Sequence, residues 1–296
     1  MDVSIIIVNY NTRELTSQCL DSICRVTEGV SYEIILVDNA SSDDSRECFQ
    51  KDDRITYLYS EENLGFGRAN NLGFAVARGR NILFLNPDTL LLNNAVKILS
   101  SVLDTSPEVG ICGGNLFDAQ MRPAMSFKRI FPGIMEELNN MLFHIPEKMR
   151  YGKSWYFNHT SEQMDVAYVS GADLMIRRSI LEKVGPFSPE FFMYYEETDL
   201  CFRVYKAGYK IKSVPQAHIQ HLEGRSFDTA VNVKRLTFSE NGRKVFYKRN
   251  YNRGYGKTAD AIYWSALSLH GIIYDLLRRP YKAESCKIRR QIMSQI

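Results

Sequence analysis

Three acids crowd the stretch "FFMYYEETDLCFRVYKAGYKI" (191–211), directly behind five consecutive bulky apolar or aromatic residues. A carboxylate buried without a partner costs several kcal/mol, so Glu196, Glu197 and Asp199 beside such a wall need a reason. One reason is structural. A helix that begins near Glu196 and stops at Gly208 welcomes acids in its first turn. Asp199 and Arg203, four apart, then form an ordinary helix pair. Two adjacent glutamates remain unexplained, and a carboxylate at a cavity wall is equipped to take a proton from an attacking hydroxyl.

Other polar clusters have chemistry of their own. In "LNPDTLL", Asp88 follows an apolar run, and hard divalent cations favour one or two carboxylates together with substrate phosphates. Asn-Pro-Asp is equally a turn sequence. In "LVDNASSDDS", Asp38 can accept hydrogen bonds from ribose hydroxyls or a base N–H, or serve as a turn residue with Ser41 or Ser42 capping a helix. His218 and His221 in "AHIQHLEGRSF" are three apart, which suits neither one face of a strand nor a helical zinc pair. "GFGRANNLG" (65–73) falls short of a dinucleotide fingerprint and follows a loop, and no phosphate-binding P-loop is present.

The elements that must position these groups are legible. "VSIIIV" (3–8), Glu33–Val37, "ITYLY" (55–59) and "NILFL" (81–85) are short apolar runs of buried strands. "TRELTSQCLDSICRV" between the first two has helical spacing, and "NLGFGRANNLGFAVARG" reads as a loop entering a helix that stops at Gly79. Strand and helix thus alternate over about the first 115 residues, which predicts an α/β fold: a mostly parallel sheet with helices on both faces. Ligands of such sheets bind at the carboxyl ends of the strands, where Asn9–Asn11, Asp38–Asp43 and Asn86–Asp88 would gather. Residues 117–164 show no clear periodicity and suggest a flexible or substrate-shaped segment. A strand-like "DVAYVSGADLMI" and a short helix "RRSILEKVG" precede the acidic stretch, and the chain from about Thr229 reads as helical.

Bulk properties narrow the class. With 37 basic and 34 acidic side chains, the net charge of +3 lacks the footprint of a nucleic-acid binder. The six cysteines form no CxxC pair and no metal spacing, as in a reducing compartment. No basic leader and no run of 18 or more apolar residues occurs, so a cytoplasmic protein is expected.

Seven of these motifs together resemble the family 2 glycosyltransferases, inverting enzymes of the GT-A fold, and in particular their rhamnosyltransferase-like branch. The resemblance covers roughly residues 3–227 through "VSIIIVNYN", "VDNASSD", "NLGFGRANNLG", "LFLNPDT", "SGADLMIRR", "FFMYYEETDLCFR" and "HLEGRS". It implies a catalytic domain over 1–228, with a nucleotide-sugar half (1–115) and an acceptor half (116–228), followed by a helical extension over 229–296. Val8, Asn9, Tyr10, Asp38, Asn63, Asn86 and Asp88 then belong to the donor site. Asp88 matches the metal ligand of a DxD-like turn, with Asn86 in place of the first acid, and His221 matches a histidine that joins the metal. Where the family usually writes Glu-Asp-x-Asp, this chain has Glu196-Glu197-Thr198-Asp199, so Glu197 stands at the base position, with Glu196 the alternative.

The function implied is transfer of a sugar, rhamnose from dTDP-rhamnose or else a UDP-sugar, to a glycan or polyprenyl-linked glycan in cell-surface polysaccharide synthesis, with Mn²⁺ or Mg²⁺ bound. Placement at a helix start is expected to keep the base ionised, and "FFMYY" to wall the cavity against water. The helical tail "AIYWSALSLHGIIYDLLRRPYK" is apolar with basic flanks, and suits either the inner membrane surface or packing against the catalytic domain or a second subunit in a homodimer. Two other classes stay open. A nucleotidyltransferase would show a Gly- and Lys/Arg-rich loop near the first strand, which "VNYNTREL" lacks; a non-catalytic binding homologue would explain the Glu and Asn departures.

Overall fold

The computed structural model describes residues 1–222 and 231–296. The motif residues Glu223–Ser226 and the expected boundary at 228/229 lie outside the described residues. The chain opens with β1 (Val3–Asn9), α1 (Arg13–Val26), β2 (Tyr32–Asn39), α2 (Ser45–Phe49), β3 (Ile55–Ser60), α3 (Phe66–Val76) and β4 (Asn81–Leu85). It continues through β5 (Thr89–Leu91), α4 (Ala95–Thr105), β6 (Val109–Phe117), β7 (Phe127–Lys128), α5 (Ile134–Met141) and α6 (Ile145–Tyr151). Then come β8 (Met164–Asp165), β9 (Tyr168–Val169), β10 (Asp173–Arg177), α7 (Arg178–Val184), α8 (Glu196–Lys206) and β11 (Lys210–His221). Three helices close the chain: α9 (Val233–Asn250), α10 (Arg253–Leu276) and α11 (Pro280–Gln295).

The main sheet runs β3-β2-β1-β4-β10-β6-β11-β5, with β8 on β11. Its first four strands are parallel, as the alternation of strand and helix predicts. The second half is mixed, because β10 runs antiparallel to both β4 and β6. All seven residues of β1 and all five of β4 are buried, which explains their continuous apolar runs. Val3, Ile5 and Ile7 join Leu20 and Ile23 of α1 and Leu99 of α4 on one face, while Ile6 and Val8 join Ala69, Ile180 and Leu200 on the other. The period of two along the strand therefore builds two cores from one sequence run.

Residues 117–164 contain β7, α5, α6 and a short 3₁₀ turn over Gly152–Trp155. Eight- and seven-residue helices carry too few turns to declare a period, and they form here because α5 packs against α10. The apolar run before Glu196 also differs from expectation. Phe191 is buried in a cluster with Phe202, Phe246 and Tyr247, and the Phe192 ring lies 4.9 Å from that of Phe238. The run thus seats the C-terminal helices. None of its residues lines the cleft that holds Glu197.

Candidate active site

The order β3-β2-β1-β4 reverses direction between β1 and β4, the topological switch point where sheets of this kind open a crevice. Pairing with β4 ends at Ile7–Leu85, whereas pairing with β2 continues to Asn9–Asp38. The three polar clusters meet at this edge. Asn9 donates to Ser41 Oγ at 3.0 Å, and Asn11 Oδ1 accepts from the Ser42 amide at 2.7 Å. Neither Ser41 nor Ser42 caps a helix; α2 begins after Asp44.

The expected donor-site residues differ in what they offer. Tyr10 is exposed at the edge, while the Val8 side chain is buried in the core beneath it. Asn9 is fully buried, and its Oδ1 accepts from the hydroxyls of Thr12 and Thr16 at 2.8 and 2.9 Å. Its side chain is occupied in shaping the β1–α1 turn. Asp38 is buried and accepts from the Ser41 amide (2.9 Å) and the Tyr57 hydroxyl (2.8 Å). A carboxylate has about four lone-pair sites, so this anchoring leaves room for a ligand donor. Asn63 Oδ1 accepts from Asn39 Nδ2 and the Gly65 amide and shapes the entry to α3.

Asn86, Asp88 and His221 converge across the sheet. β11 breaks register with β6 between Ser213 and His218, a span that contains Pro215, a residue that cannot donate to a ladder. The strand beyond the break pairs with β5, His221 opposite Thr89, and the Leu222 amide donates to the Asp88 carbonyl at 2.8 Å. His221 Nε2 consequently lies 3.2 Å from Asp88 Oδ1 and 3.4 Å from Asn86 Nδ2. Two neighbouring ligands held at about 2.0–2.1 Å in an octahedron stand about 3 Å apart, so the Asp88–His221 spacing fits a Mg²⁺- or Mn²⁺-sized cation. His218 falls on the opposite face, exposed, with its ring 5.6 Å from Phe117. Spacing three in a strand separates the two histidines.

The acids of α8 part in a similar way. Asp199 is paired with Arg203 at 2.9 Å, as the helix spacing predicts, and also accepts from Asn250 Nδ2 at 3.0 Å. Glu196 is 5% exposed, packs against Gly67 of α3, and leaves Oε2 buried without a partner. Glu197 is half-buried over Gly171 and lines a cleft of about 310 Å³ together with His221, Lys128, Tyr168 and Ser170. Burial pushes both carboxyls above the usual glutamate range, and in Glu196 the neighbouring Glu197 adds to the rise. Desolvation thus outweighs the helix dipole that was expected to keep the acid ionised.

The turn that delivers these glutamates is strained. Tyr194 and Tyr195 have φ of +70° and +72°, a conformation bulky side chains rarely adopt and one that concentrates at functional sites. Asp173, at the start of β10, lies in the field of His221. It is fully buried with Oδ1 unpartnered and Oδ2 accepting from the Gly114 amide at 2.5 Å, and burial lifts its carboxyl to about 7. Asp173 belongs to the motif "SGADLMIRR", whose local pattern marks none of its residues as part of a site. Lys128, Tyr168 and Arg235 reach the cleft from distant segments and carried no local signal.

The chain is similar to known glycosyltransferases in sequence and in fold. The model of the family "Glycosyl transferase family 2" matches residues 4–185. The low-salt glycan biosynthesis hexosyltransferase Agl10 of Haloferax volcanii is 27% identical over 275 residues, 90% of this chain and 81% of that protein. Rhamnosyltransferase WbbL of Escherichia coli K12 is 26% identical over 265 residues, 85% of this chain and 97% of that protein. Among solved structures, the mannosyltransferase PcManGT from Pyrobaculum calidifontis, in complex with GDP-Man and Mn²⁺, superposes with a TM-score of 0.59 at 15% identity. The match covers 99% of this chain and 86% of that one and establishes the GT-A architecture. The family match spans well over half of the 296 residues and takes in both the β1 edge and the Asn86–Asp88 turn: the chain belongs to glycosyl transferase family 2.

Proposed function

We propose that the protein is a metal-dependent inverting transferase that moves one sugar from a nucleoside diphosphate to a glycan hydroxyl. The observation that carries this is the shared cleft: Glu197 and His221 line it together, and His221 touches Asp88. Glu197 accepts the proton of the acceptor hydroxyl as its oxygen attacks the anomeric carbon. The bond from that carbon to the diphosphate breaks on the opposite face, and the configuration inverts. Asp88 and His221 would hold a divalent cation, which neutralises charge developing on the leaving diphosphate. Asp38 and Tyr10 sit where the nucleoside would lie, and Asn9 and Asn63 hold the loops that carry them.

Rhamnose from dTDP-rhamnose is the donor we favour, on the likeness to WbbL; a UDP-sugar is the alternative. The acceptor we favour is a lipid-linked glycan at the inner membrane surface. No helix among the described residues is long and apolar enough to cross a membrane. The end of α10 exposes Ile272, Leu276 and Leu277 beside Arg278, Arg279 and Lys282, a composition suited to peripheral contact.

Thermal shift with dTDP, UDP and GDP, each with Mn²⁺ and with EDTA, tests the donor reading. A ligand at a hundredfold excess over its Kd adds about 2.7 kcal/mol of apparent stability. Metal-dependent stabilisation by dTDP over UDP, lost in Asp88→Asn, is the expected result. Preference for UDP removes rhamnose, and no stabilisation by any diphosphate with metal removes the site assignment. A protein that binds donor yet transfers nothing in the presence of any glycan would be the non-catalytic homologue.

A further inference from the structure

Away from the Glu197 cleft, the stretch "EELNNMLFHIPE" (136–147) gathers two carboxylates, an imidazole and an amide at the junction of α5 and α6. Glu136 and Asn139, three apart, share a face of α5, and His144 and Glu147 are likewise three apart across the start of α6. Glu137 turns away and accepts from Arg243. His144 Nδ1 stands 3.5 Å from Glu147 Oε2 and 3.9 Å from Glu136 Oε1. One ligand atom from each of the three side chains lies within 4.8 Å of the others. Ligands at about 2.0–2.2 Å from one ion stand at most about 4.4 Å apart, so a small rotation of one carboxylate closes the set.

Two features distinguish this group from an ordinary acidic patch. Glu147 is 2% exposed, and its Oε1 is buried with no hydrogen-bond partner, a costly state for a carboxylate unless a ligand meets it. Asn139 Nδ2 lies 3.1 Å from Glu136 Oε2, 3.0 Å from His144 Nδ1 and 2.9 Å from Glu147 Oε2. An amide nitrogen has two hydrogens, so with a neutral His144 accepting at Nδ1 one of the three goes without. A half-turn of the amide puts Oδ1 in that place and gives up the 3.3 Å bond from the Glu147 amide. Four donors then converge, with the spacing that adjacent ligands of one ion keep. The charges also call for a cation. Among the described residues no lysine or arginine forms an ion pair with either carboxylate, and Lys128 acts on them through its field.

We propose that Glu136, Asn139, His144 and Glu147 bind a divalent first-row metal ion of the Zn²⁺ kind, at a site separate from Asp88 and His221. Imidazole with carboxylates is a set such ions favour, whereas Mg²⁺ and Ca²⁺ favour oxygen alone. Two carboxylates balance the double charge of the ion. Glu136 and His144 line a cavity of about 660 Å³, which gives the ion a path of entry. Met125, Lys128 and Tyr168 line both this cavity and the Glu197 cleft. The bound ion ties α6 to α5, and α5 packs on α10, so it braces the wall beside the cleft. This inference stands apart from the transferase reading.

Zinc titration against a chromogenic chelator, on the full chain carrying Asp88→Asn, tests the site with the other metal position weakened. One Zn²⁺ per chain is expected to bind and to raise Tm relative to EDTA. Adding His144→Gln or Glu147→Gln should each weaken binding by about 10–100-fold or more and cancel the shift in Tm. The His144 side chain is 23% exposed, so its variant keeps the test open should the buried Glu147 variant fail to fold. Co²⁺ in place of Zn²⁺ should give visible d–d bands that His144→Gln alters or removes. Absence of zinc binding in the Asp88→Asn chain overturns the proposal and leaves a protonated His144 as the counter-ion of the two acids. Binding that His144→Gln and Glu147→Gln both leave unchanged overturns it as well. The nucleotide thermal shift of the wild type is read separately and reports the transferase reading alone.

Discussion

The Cα of Gly242 in α9 stands against the carbonyl of Tyr194, so close that an added Cβ would lie 2.5 Å from the oxygen. A C-terminal helix thereby clamps the strained turn that delivers Glu196 and Glu197. In a helix interior, alanine is ordinarily better than glycine by about 0.8–1.0 kcal/mol. Gly242→Ala is nevertheless expected to destabilise the protein and to lower transfer, since a displacement of about 1 Å at the chemistry can cost about 10²-fold. Thermal melts and turnover on the same variant decide. A more stable protein of unchanged activity would show that α9 does not hold the turn.

Glu197 works as a base only when ionised, and its burial raises its carboxyl above the usual range. The acid limb of kcat/KM should lie above the ordinary glutamate value of about 4.3 and rise with pH through the raised one. Glu197→Gln should abolish the limb and cost about 10²–10⁴ in rate while nucleotide binding persists. Glu196→Gln with the same loss would transfer the role to its neighbour.

Glu196 makes a stability prediction with a definite sign. Below its unfolded value the carboxyl is neutral in both states and its burial costs little. As pH rises through the raised folded value, the carboxylate must form in a dry site with Oε2 unpartnered, and stability falls. Glu196→Gln should accordingly raise Tm at about pH 8 more than at about pH 5. The gain corresponds to about 1–3 kcal/mol, and each kcal/mol moves Tm by about 2–4 °C in a chain of this size class. Calorimetry at the two pH values measures it, and an equal shift at both would deny that ionisation is the cause.

Membrane contact should depend on the end of α10. Leu276 and Leu277 are 79% and 58% exposed, and burying such a side chain in an apolar phase is worth about 1.5–3 kcal/mol. The double change of both leucines to glutamate should lower sedimentation with anionic vesicles by tenfold or more. High salt should weaken the wild type as well, because each nearby Lys or Arg contributes about 1 kcal/mol. Vesicle binding unaffected by the double change would move the contact elsewhere.

The parallel half of the sheet, the helix of the three acids and the polar edge formed by Asn9, Asp38 and Asn86–Asp88 were legible because each is local. An apolar run buried on both faces, a helix period and a turn composition are properties of five to fifteen neighbouring residues. The Asp199–Arg203 pair was legible for the same reason. Other features depended on partners far away in the chain. His221 reaches Asp88 only because β11 breaks its register near Pro215 and then pairs with β5, across more than a hundred residues of sequence. Glu197 faces the cleft and Glu196 the α3 side because Gly171 and Gly67 leave room there. The apolar run 191–195 meets the C-terminal helices rather than the cleft, and the two glutamates are protonated more easily than their helix position alone implies. Sequence determined which chemical groups stand at strand and helix ends, since that follows from local burial and period. Tertiary packing decided which of them share a cavity and how they titrate, since desolvation and side-chain approach are set by atoms contributed from every part of the chain.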